Sequence, residues 1–247
     1  MGGRTQPATG DDVKGIVVTP KTLQRLGRAA IWSGSIAGAI VLLVGLLHTR
    51  VGRPLLGQLG LGGCPVAASA EDVEHARMAS ARATRGIAQS PSRPALGFQL
   101  DSMTRGDVEA WAERHHIACE SARSDTLLRC ARVPADAIGE AGPEVDALTF
   151  GFVPKTLKLV NITAVRHGLD GEHAATQMET IASHLRSELG APEKALGDRT
   201  ATYLSGGDLR TAIVTYRFAD YIADVTATNI PGRGLMLREH YMSAKDD

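Results

Sequence analysis

The 247-residue chain has few of the features that mark common enzymes and nucleic-acid binders. Aromatic residues make up only 4% of it, and basic and acidic residues balance at 27 each. Scarce aromatics argue against a base-stacking platform, and a net charge of zero provides no field that attracts nucleic acid. The sequence has no phosphate loop, dinucleotide fingerprint or GxSxG elbow. We therefore expect no nucleic-acid partner, no cofactor and no enzymatic activity.

Cysteine is also scarce, with three in the chain. Cys119 and Cys130 each end a short apolar stretch, and a polar turn lies between them. Facing residues of such a hairpin come close enough for a disulfide. A zinc site that also uses His115 and His116 is the alternative, but no CxxC or HxxxH pair is present. We predict a Cys119–Cys130 disulfide.

One run, residues 29–47, carries no charge, and as a helix of about 29 Å it could cross a bilayer. A Thr-Pro start signal extends the predicted transmembrane helix to residues 20–48. Within twenty positions, four basic residues precede the run and two follow it. This excess places the N-terminus in the cytoplasm. We predict a single-pass protein of the bacterial inner membrane whose C-terminal domain is periplasmic, where disulfides persist.

The predicted membrane helix has a stripe of small residues at Ala30, Gly34 and Gly38. Such a stripe lets helices approach closely, so we expect packing against a second copy or another membrane protein. The third cysteine, Cys64, follows a Leu-Gly-Gly sequence beyond the apolar run. Three hypotheses are open for Cys64: it is a free thiol, it is lipidated, or it forms a disulfide with another chain.

The remaining sequence predicts an α+β domain. Residues 1–19 are polar and are expected to be a disordered tail, and 49–95 a linker with one Ala-rich helix. Beyond them a helix and four strands occur twice, in 96–169 and 170–247, which indicates a tandem α-ββββ repeat of about 67 residues per unit. We expect antiparallel sheets with the helices on one face. The eight predicted strands are about 117–119, 127–130, 148–152, 157–162, 200–204, 209–218, 221–229 and 235–242.

Residues 96–242 carry a resemblance to a known family. Met103, Thr104, Arg105 and Val108 resemble the start of the small lipoprotein of the outer-membrane β-barrel assembly machinery. The Leu-Gly-Ala-Pro sequence at 189–192 resembles an ending common in such domains. That family is similar to the β-lactamase-inhibitor-protein fold, in which helices pack on a four-stranded antiparallel sheet. The resemblance implies a non-enzymatic role in the cell envelope.

Two groups of residues are candidate sites. Five aromatic residues lie on the last predicted strands: Tyr203, Tyr216, Phe218, Tyr221 and Tyr241. If they faced outward they would form a binding surface. We favour the alternative, in which they are buried in the core. His167, Asp170 and His173 lie where a strand meets a helix and could hold a metal. The alternative, which we favour, is that Asp170 caps the helix and both histidines face solvent. We therefore expect no metal.

The sequence favours a membrane-anchored, extracytoplasmic protein–protein interaction module, which would be a scaffold or accessory subunit of a bacterial cell-envelope complex. Its expected partners are the membrane, other envelope proteins and a second copy. The alternative is a domain that binds or senses a small molecule or lipid. A deep apolar pocket with converging polar groups would favour the alternative.

Overall fold

The structure, a computed structural model, describes residues 69–245. These residues form four α-helices, one 3₁₀ helix and eight strands within the described range. In chain order they are α1 (Ala70–Thr84), α2 (Arg105–Arg114), β1 (Cys119–Ala122), β2 (Leu127–Val133), the 3₁₀ helix (Ala135–Ile138), β3 (Val145–Phe152), β4 (Leu159–Leu169), α3 (Gly171–Leu189), β5 (Lys194–Leu196), α4 (Ala201–Ser205), β6 (Thr211–Arg217), β7 (Tyr221–Ile230) and β8 (Gly234–Ser243).

All eight strands belong to one antiparallel sheet with the order β1-β2-β3-β4-β8-β7-β6-β5. The first four strands are sequential neighbours, and so are the last four. The two sets join through their final strands, since β4 pairs with β8 and Ile162 lies opposite Tyr241. The centre of the sheet is thus a pairing of strands that are far apart in the chain.

The helices begin and end where local chemistry dictates. The Asp170 side chain accepts a hydrogen bond from the backbone N–H of His173 at 2.8 Å and caps α3. Gly190, at φ +83°, ends that helix. Thr104 and Asp107 form a reciprocal capping box at the start of α2. Helix α3 turns an apolar stripe inward, formed by Ala174, Met178, Ile181, Leu185 and Leu189.

Helices α2 and α3 cover the same face of the sheet, which we call the core face. Trp111 of α2 packs against Phe150 of β3 with ring centroids 5.8 Å apart. Phe98 lies 4.9 Å from each of these two rings, in edge-to-face contacts. Helix α3 packs over β7 and β8. The main core therefore lies between these two helices and the core face.

Helix α1 packs on the opposite face, which we call the back face. Its Ala81 is fully buried in a small cluster with Ile222, Met242 and Ala244. Ile222 and Met242 alternate along their strands with core-face residues, so they point to the other side of the sheet. The guanidinium of Arg77 also donates to the backbone oxygen of Ser243 at 2.7 Å.

Residues 85–95, which we call the strap, carry the chain from the back face to the core face. Ser90 donates from its backbone and its hydroxyl to the Asp220 carboxylate, at 2.9 and 3.1 Å. The Tyr221 hydroxyl donates to the backbone oxygen of Pro94. A Cβ at Gly86 would lie 2.3 Å from the Arg217 backbone oxygen, so only glycine fits there. This part of the expected linker is thus fastened to the turn between β6 and β7 and to the strand ends beside it.

The predicted fold class is wrong in three respects. The two units expected at 96–169 and 170–247 share one continuous eight-stranded sheet, because β4 and β8 pair. The helices lie on both faces rather than on one, since α1 packs on the back face. Residues 200–204, expected as a strand, fall largely in helix α4. Within residues 69–245 no helix has the length and apolarity needed to span a bilayer; the helix predicted at 20–48 lies outside that range.

Candidate ligand-binding site

The predicted disulfide is present. Cys119 on β1 lies directly opposite Cys130 on β2, and the two sulfur atoms are bonded. Cys130 is fully buried as part of the main core, whereas Cys119 is half-buried. The bridge ties the edge strand β1 to the rest of the sheet.

The five aromatic residues do not form an exposed surface. Tyr216, Tyr221 and Tyr241 are 1%, 0% and 3% exposed and belong to the main core. Tyr203 and Phe218 are half-buried and pack against the same core. Three of the five residues that would anchor a partner therefore lie in the core, and the other two pack against it.

His167, Asp170 and His173 do not converge on a common point. His173 Nδ1 lies 2.7 Å from Asp170, but His167 pairs instead with Asp146 at 3.5 Å. No group of three metal-ligating side chains occurs within residues 69–245. The backbone N–H of His173 is the main cause that lowers the pKa of Asp170, as expected of a carboxylate that caps a helix. Ala30, Gly34, Gly38 and Cys64 lie outside the described residues.

A cavity of about 540 Å³ opens on the core face between three segments. Its walls are the end of the strap with the residues after it, the loop that follows the 3₁₀ helix, and one side of α3. The apolar lining residues include Leu96, Phe98, Ile138 and Ile181. The polar lining comes from Arg93, Glu140, Gln177, Thr180, His184 and Tyr241. The space is large enough for a small organic molecule.

Glycines allow the loop at 139–144 to pack against α3. Gly139 has φ +73°, and its N–H bonds back to Asp136, which ends the 3₁₀ helix. A Cβ at Gly142, where φ is +144°, would lie 2.4 Å from the Gln177 side-chain oxygen. Gln177 is itself only 5% exposed. The close contact fixes this wall of the cavity against the helix.

A buried ionic cluster lies beside the cavity. Arg166 of β4 is 1% exposed and donates to two carboxyl groups, Glu239 of β8 at 2.5 Å and Glu140 of the loop. Its Nε donates to the backbone oxygen of Pro143 at 3.2 Å. The Tyr241 hydroxyl donates to the second oxygen of Glu239 at 2.6 Å. Every donor-bearing nitrogen of the buried guanidinium therefore has an acceptor.

Two carboxyl groups share one guanidinium in this cluster, so its charges do not cancel when both are ionised. Burial, followed by the nearby Glu239 carboxylate, raises the pKa of Glu140 to about 7. Burial also raises the pKa of Tyr241 well above its usual value, which keeps its hydroxyl a donor at neutral pH. Of the two carboxyl groups, Glu140 is the one that lines the cavity, with 17% of its side chain exposed. The cavity wall thus holds a carboxyl group that changes charge near neutral pH.

Arg93, at the end of the strap, supplies a positive charge to the lining. Its Nη1 lies 2.7 Å from Asp101, and its Nε lies 4.0 Å from Asp220. Its Nε and Nη2 are buried and find no hydrogen-bond partner within residues 69–245. Asp101 and Asp220 therefore offset the positive charge of this guanidinium, although the N–H groups of Nε and Nη2 lack acceptors among residues 69–245.

The ionic cluster was not among the candidate sites, although the alternation along two strands indicates it. Ile162, Ala164 and Arg166 alternate along β4 and all face the core. Leu237, Glu239 and Tyr241 do the same along β8. A charged residue that alternates with buried apolar residues along a strand is itself expected to be buried, and it then needs a partner of opposite charge. Arg166 and Glu239 both occupy such positions, which predicts that they form a buried ion pair.

The chain matches no protein-family model, no curated protein and no solved structure. Its resemblance to the small lipoprotein family therefore stays a prediction.

Proposed function

We propose that residues 69–245 form an extracytoplasmic domain of a bacterial envelope protein that binds a small molecule in the core-face cavity. The observation that carries the proposal is the cavity itself, a largely apolar recess whose lining also includes Glu140, Gln177 and Tyr241. Of the five aromatic residues that could have formed an interaction surface, three are buried and two are half-buried against the core. A binding role is proposed rather than catalysis, because Glu140 and Tyr241 are engaged in the ionic cluster.

The disulfide supports the proposed location. Disulfides persist in oxidising compartments and are rare in the cytosol of most bacteria. The Cys119–Cys130 bridge lies at the open end of the β1–β2 hairpin, opposite its turn. Together with the basic residues that precede 29–47, it supports an envelope protein whose C-terminal domain lies outside the cytoplasm.

Ligand-observed saturation-transfer NMR on the full-length chain tests the binding role. Three compounds that share a phenyl group serve as probes: 2-phenylethylammonium, 2-phenylethanol and phenylacetate. Thr180 is an exposed residue of α3 that lines the cavity, so Thr180→Trp should obstruct it. Ser183→Trp, an exposed position on the same helix outside the lining, is the matched control.

We expect at least one probe to give a saturation signal with the unmodified chain and with Ser183→Trp, and to lose it with Thr180→Trp. Signals that are absent for all three probes, or equal for the two tryptophan variants, contradict the proposal. Circular dichroism melting of both variants checks that each is folded.

The interaction module expected from the sequence retains one supporting observation. Strand β5 pairs on one side only, at the edge of the sheet, and all three of its residues are exposed. Its Leu196 is 47% exposed, and such an edge is a template for pairing with another strand. If two copies pair through β5, Leu196→Glu should lower the sedimentation coefficient of the full-length chain, whereas Glu193→Gln, an exposed change just before the strand, should not.

A further inference from the structure

The charged groups around the cavity are unequal in number. Two guanidinium groups, from Arg93 and Arg166, are present within the described residues. Four carboxyl groups lie beside them, Asp101 and Asp220 at Arg93, and Glu140 and Glu239 at Arg166. Arg93 and Glu140 line the cavity, and the other four groups lie directly behind this lining. Negative charge therefore exceeds positive charge when all four carboxyl groups are ionised. A low-dielectric recess with that imbalance favours a cation over an anion.

We propose that the cavity binds a small organic cation, an amine with an apolar body, whose ammonium group pairs with the Glu140 carboxylate. This inference rests on the proposed function and names its ligand class. The apolar body lies against Leu96, Phe98 and Ile181, which line the same space.

Glu140 is the carboxylate that a ligand can reach. Glu239 is fully buried, and its two oxygens already accept from Arg166 and Tyr241. Glu140 lines the cavity, is partly exposed, and shares Arg166 with a competing carboxylate. An ammonium group would supply the positive charge that the cluster lacks, since one guanidinium serves two carboxyl groups.

An anionic ligand is disfavoured although Arg93 has unused donors. Asp101 already forms an ion pair with Arg93 at 2.7 Å, and Asp220 lies 4.0 Å from its Nε. A carboxylate placed beside Nη2 would be the third negative group around one guanidinium. The free donors of Arg93 suit a neutral acceptor, such as a hydroxyl or carbonyl oxygen on the ligand.

Binding of an amine should release a proton. At neutral pH the Glu140 carboxyl is partly protonated, because burial and Glu239 raise its pKa to about 7. An ammonium ion favours the carboxylate, so the carboxyl proton leaves to solvent as the ion pair forms. The charged and titratable groups that face Glu140 are Arg166, Glu239 and Tyr241. Arg93, on the strap, and His184, on α3, line the other two walls of the cavity.

Isothermal titration of the full-length chain with the three phenyl compounds, at pH 6 and pH 8, tests the inference. We expect 2-phenylethylammonium to bind more tightly than the alcohol or the acid, and about tenfold more tightly at pH 8 than at pH 6. The observed heat should differ between buffers of different ionisation enthalpy, which reports the released proton. Glu140→Gln should remove the preference for the amine and its pH dependence.

Two further variants distinguish Glu140 from its surroundings. Glu144→Gln changes an exposed residue of the same loop that does not line the cavity, and it should behave like the unmodified chain. His184→Gln should keep the ratio of affinities at pH 8 and pH 6. Circular dichroism melting confirms that Glu140→Gln is folded, and the proton release of the unmodified chain gives a test that does not depend on any variant.

The outcomes separate this inference from the proposed function. If the alcohol or the acid binds as well as the amine, in a manner that Thr180→Trp abolishes, the cavity is a ligand site but not a cation site. If the amine binds equally to Glu140→Gln, the charge pairing is wrong. If none of the three binds at millimolar concentration, both the inference and the proposed function fail.

Discussion

At the scale of single residues, the main energetic feature of the domain is Arg166, a buried arginine held by two glutamates. A charge with 1% exposure is tolerated only because every donor nitrogen has an acceptor. Such a cluster contributes little net stability compared with apolar packing, but removal of one member leaves a buried charge without compensation. Because the cluster lies beside the cavity, a change in the charge of Glu140 should affect the stability of the domain as well as ligand binding.

Arg166→Met should therefore be strongly destabilising. The variant keeps a long side chain but leaves Glu140 and Glu239 without their cation, at an expected cost of about 3–5 kcal/mol in the free energy of unfolding at pH 7. The cost should be smaller at pH 5, where Glu140 is protonated. Urea unfolding followed by circular dichroism measures both values. Arg129→Met, a change at an exposed strand arginine, is the control and should alter stability by less than about 0.5 kcal/mol.

Glu140 should make the stability of the domain fall as the pH rises through neutrality. The folded state holds its proton up to about pH 7, whereas the ordinary value near 4.5 applies once the chain unfolds. The folded state therefore binds more protons between these values, and its stability decreases across that window. Between pH 5 and pH 8 the unmodified chain should lose more unfolding free energy than Glu140→Gln, by on the order of 1–3 kcal/mol. Parallel pH profiles for the two proteins would show that the carboxyl is not protonated in the folded state.

At the scale of elements, helices were the easiest features to predict from the sequence. Ser69, Thr104 and Asp170 cap α1, α2 and α3 as their sequences indicate, because a cap depends on residues within one turn. The hairpin at Cys119–Cys130 was also predictable, since a polar turn and two flanking cysteines are local signals. Local chemistry is enough where an element is decided by neighbours in sequence.

The elements that were predicted wrongly depend on contacts that are distant in sequence. Residues 200–204 contain β-branched and aromatic residues, which suggests a strand, but Thr200 caps the short helix α4 and Leu204 is buried in the core. Strand β5 has only three exposed residues and exists through its pairing with β6. The thin apolar face of α1 gave no sign that the helix would dock on the back face.

The docking of α1 can be tested through Ala81. Ala81→Asp would bury a carboxylate against Ile222 and Met242. The arginines one turn away, Arg77 and Arg85, already donate to the backbone oxygens of Ser243 and Ala244. We expect α1 to detach while the sheet stays folded. Backbone amides of α1 should exchange with deuterium at least about tenfold faster, and those of β7 and β8 should stay protected. Ala83→Asp, at an exposed position on the same helix, should leave the exchange rates of α1 unchanged.

At the scale of the whole molecule, the candidate site depends on how the two halves of the sheet join. Arg166 and Glu239 are separated by 73 residues and meet only because β4 pairs with β8. The strap then brings Arg93 to the same cavity after passing from the back face. The alternation along each strand predicts that its charged residue is buried, but it does not predict which strands pair. The cavity therefore could not be predicted from the sequence, although its most unusual residues could.

The location of the domain is a property of the whole molecule, and the disulfide makes it measurable. In a Cys64→Ala background, a membrane-impermeant maleimide applied to intact cells should label the chain only after reduction, since both remaining cysteines are bonded to each other. The label should be found on Cys119, because Cys130 is fully buried even when the bridge is open in a folded domain. Labelling that needs cell lysis but no reductant would place the domain in the cytoplasm with free thiols. That result would remove the support for an envelope protein, but the cavity and its proposed preference for cations would remain to be judged on their own tests.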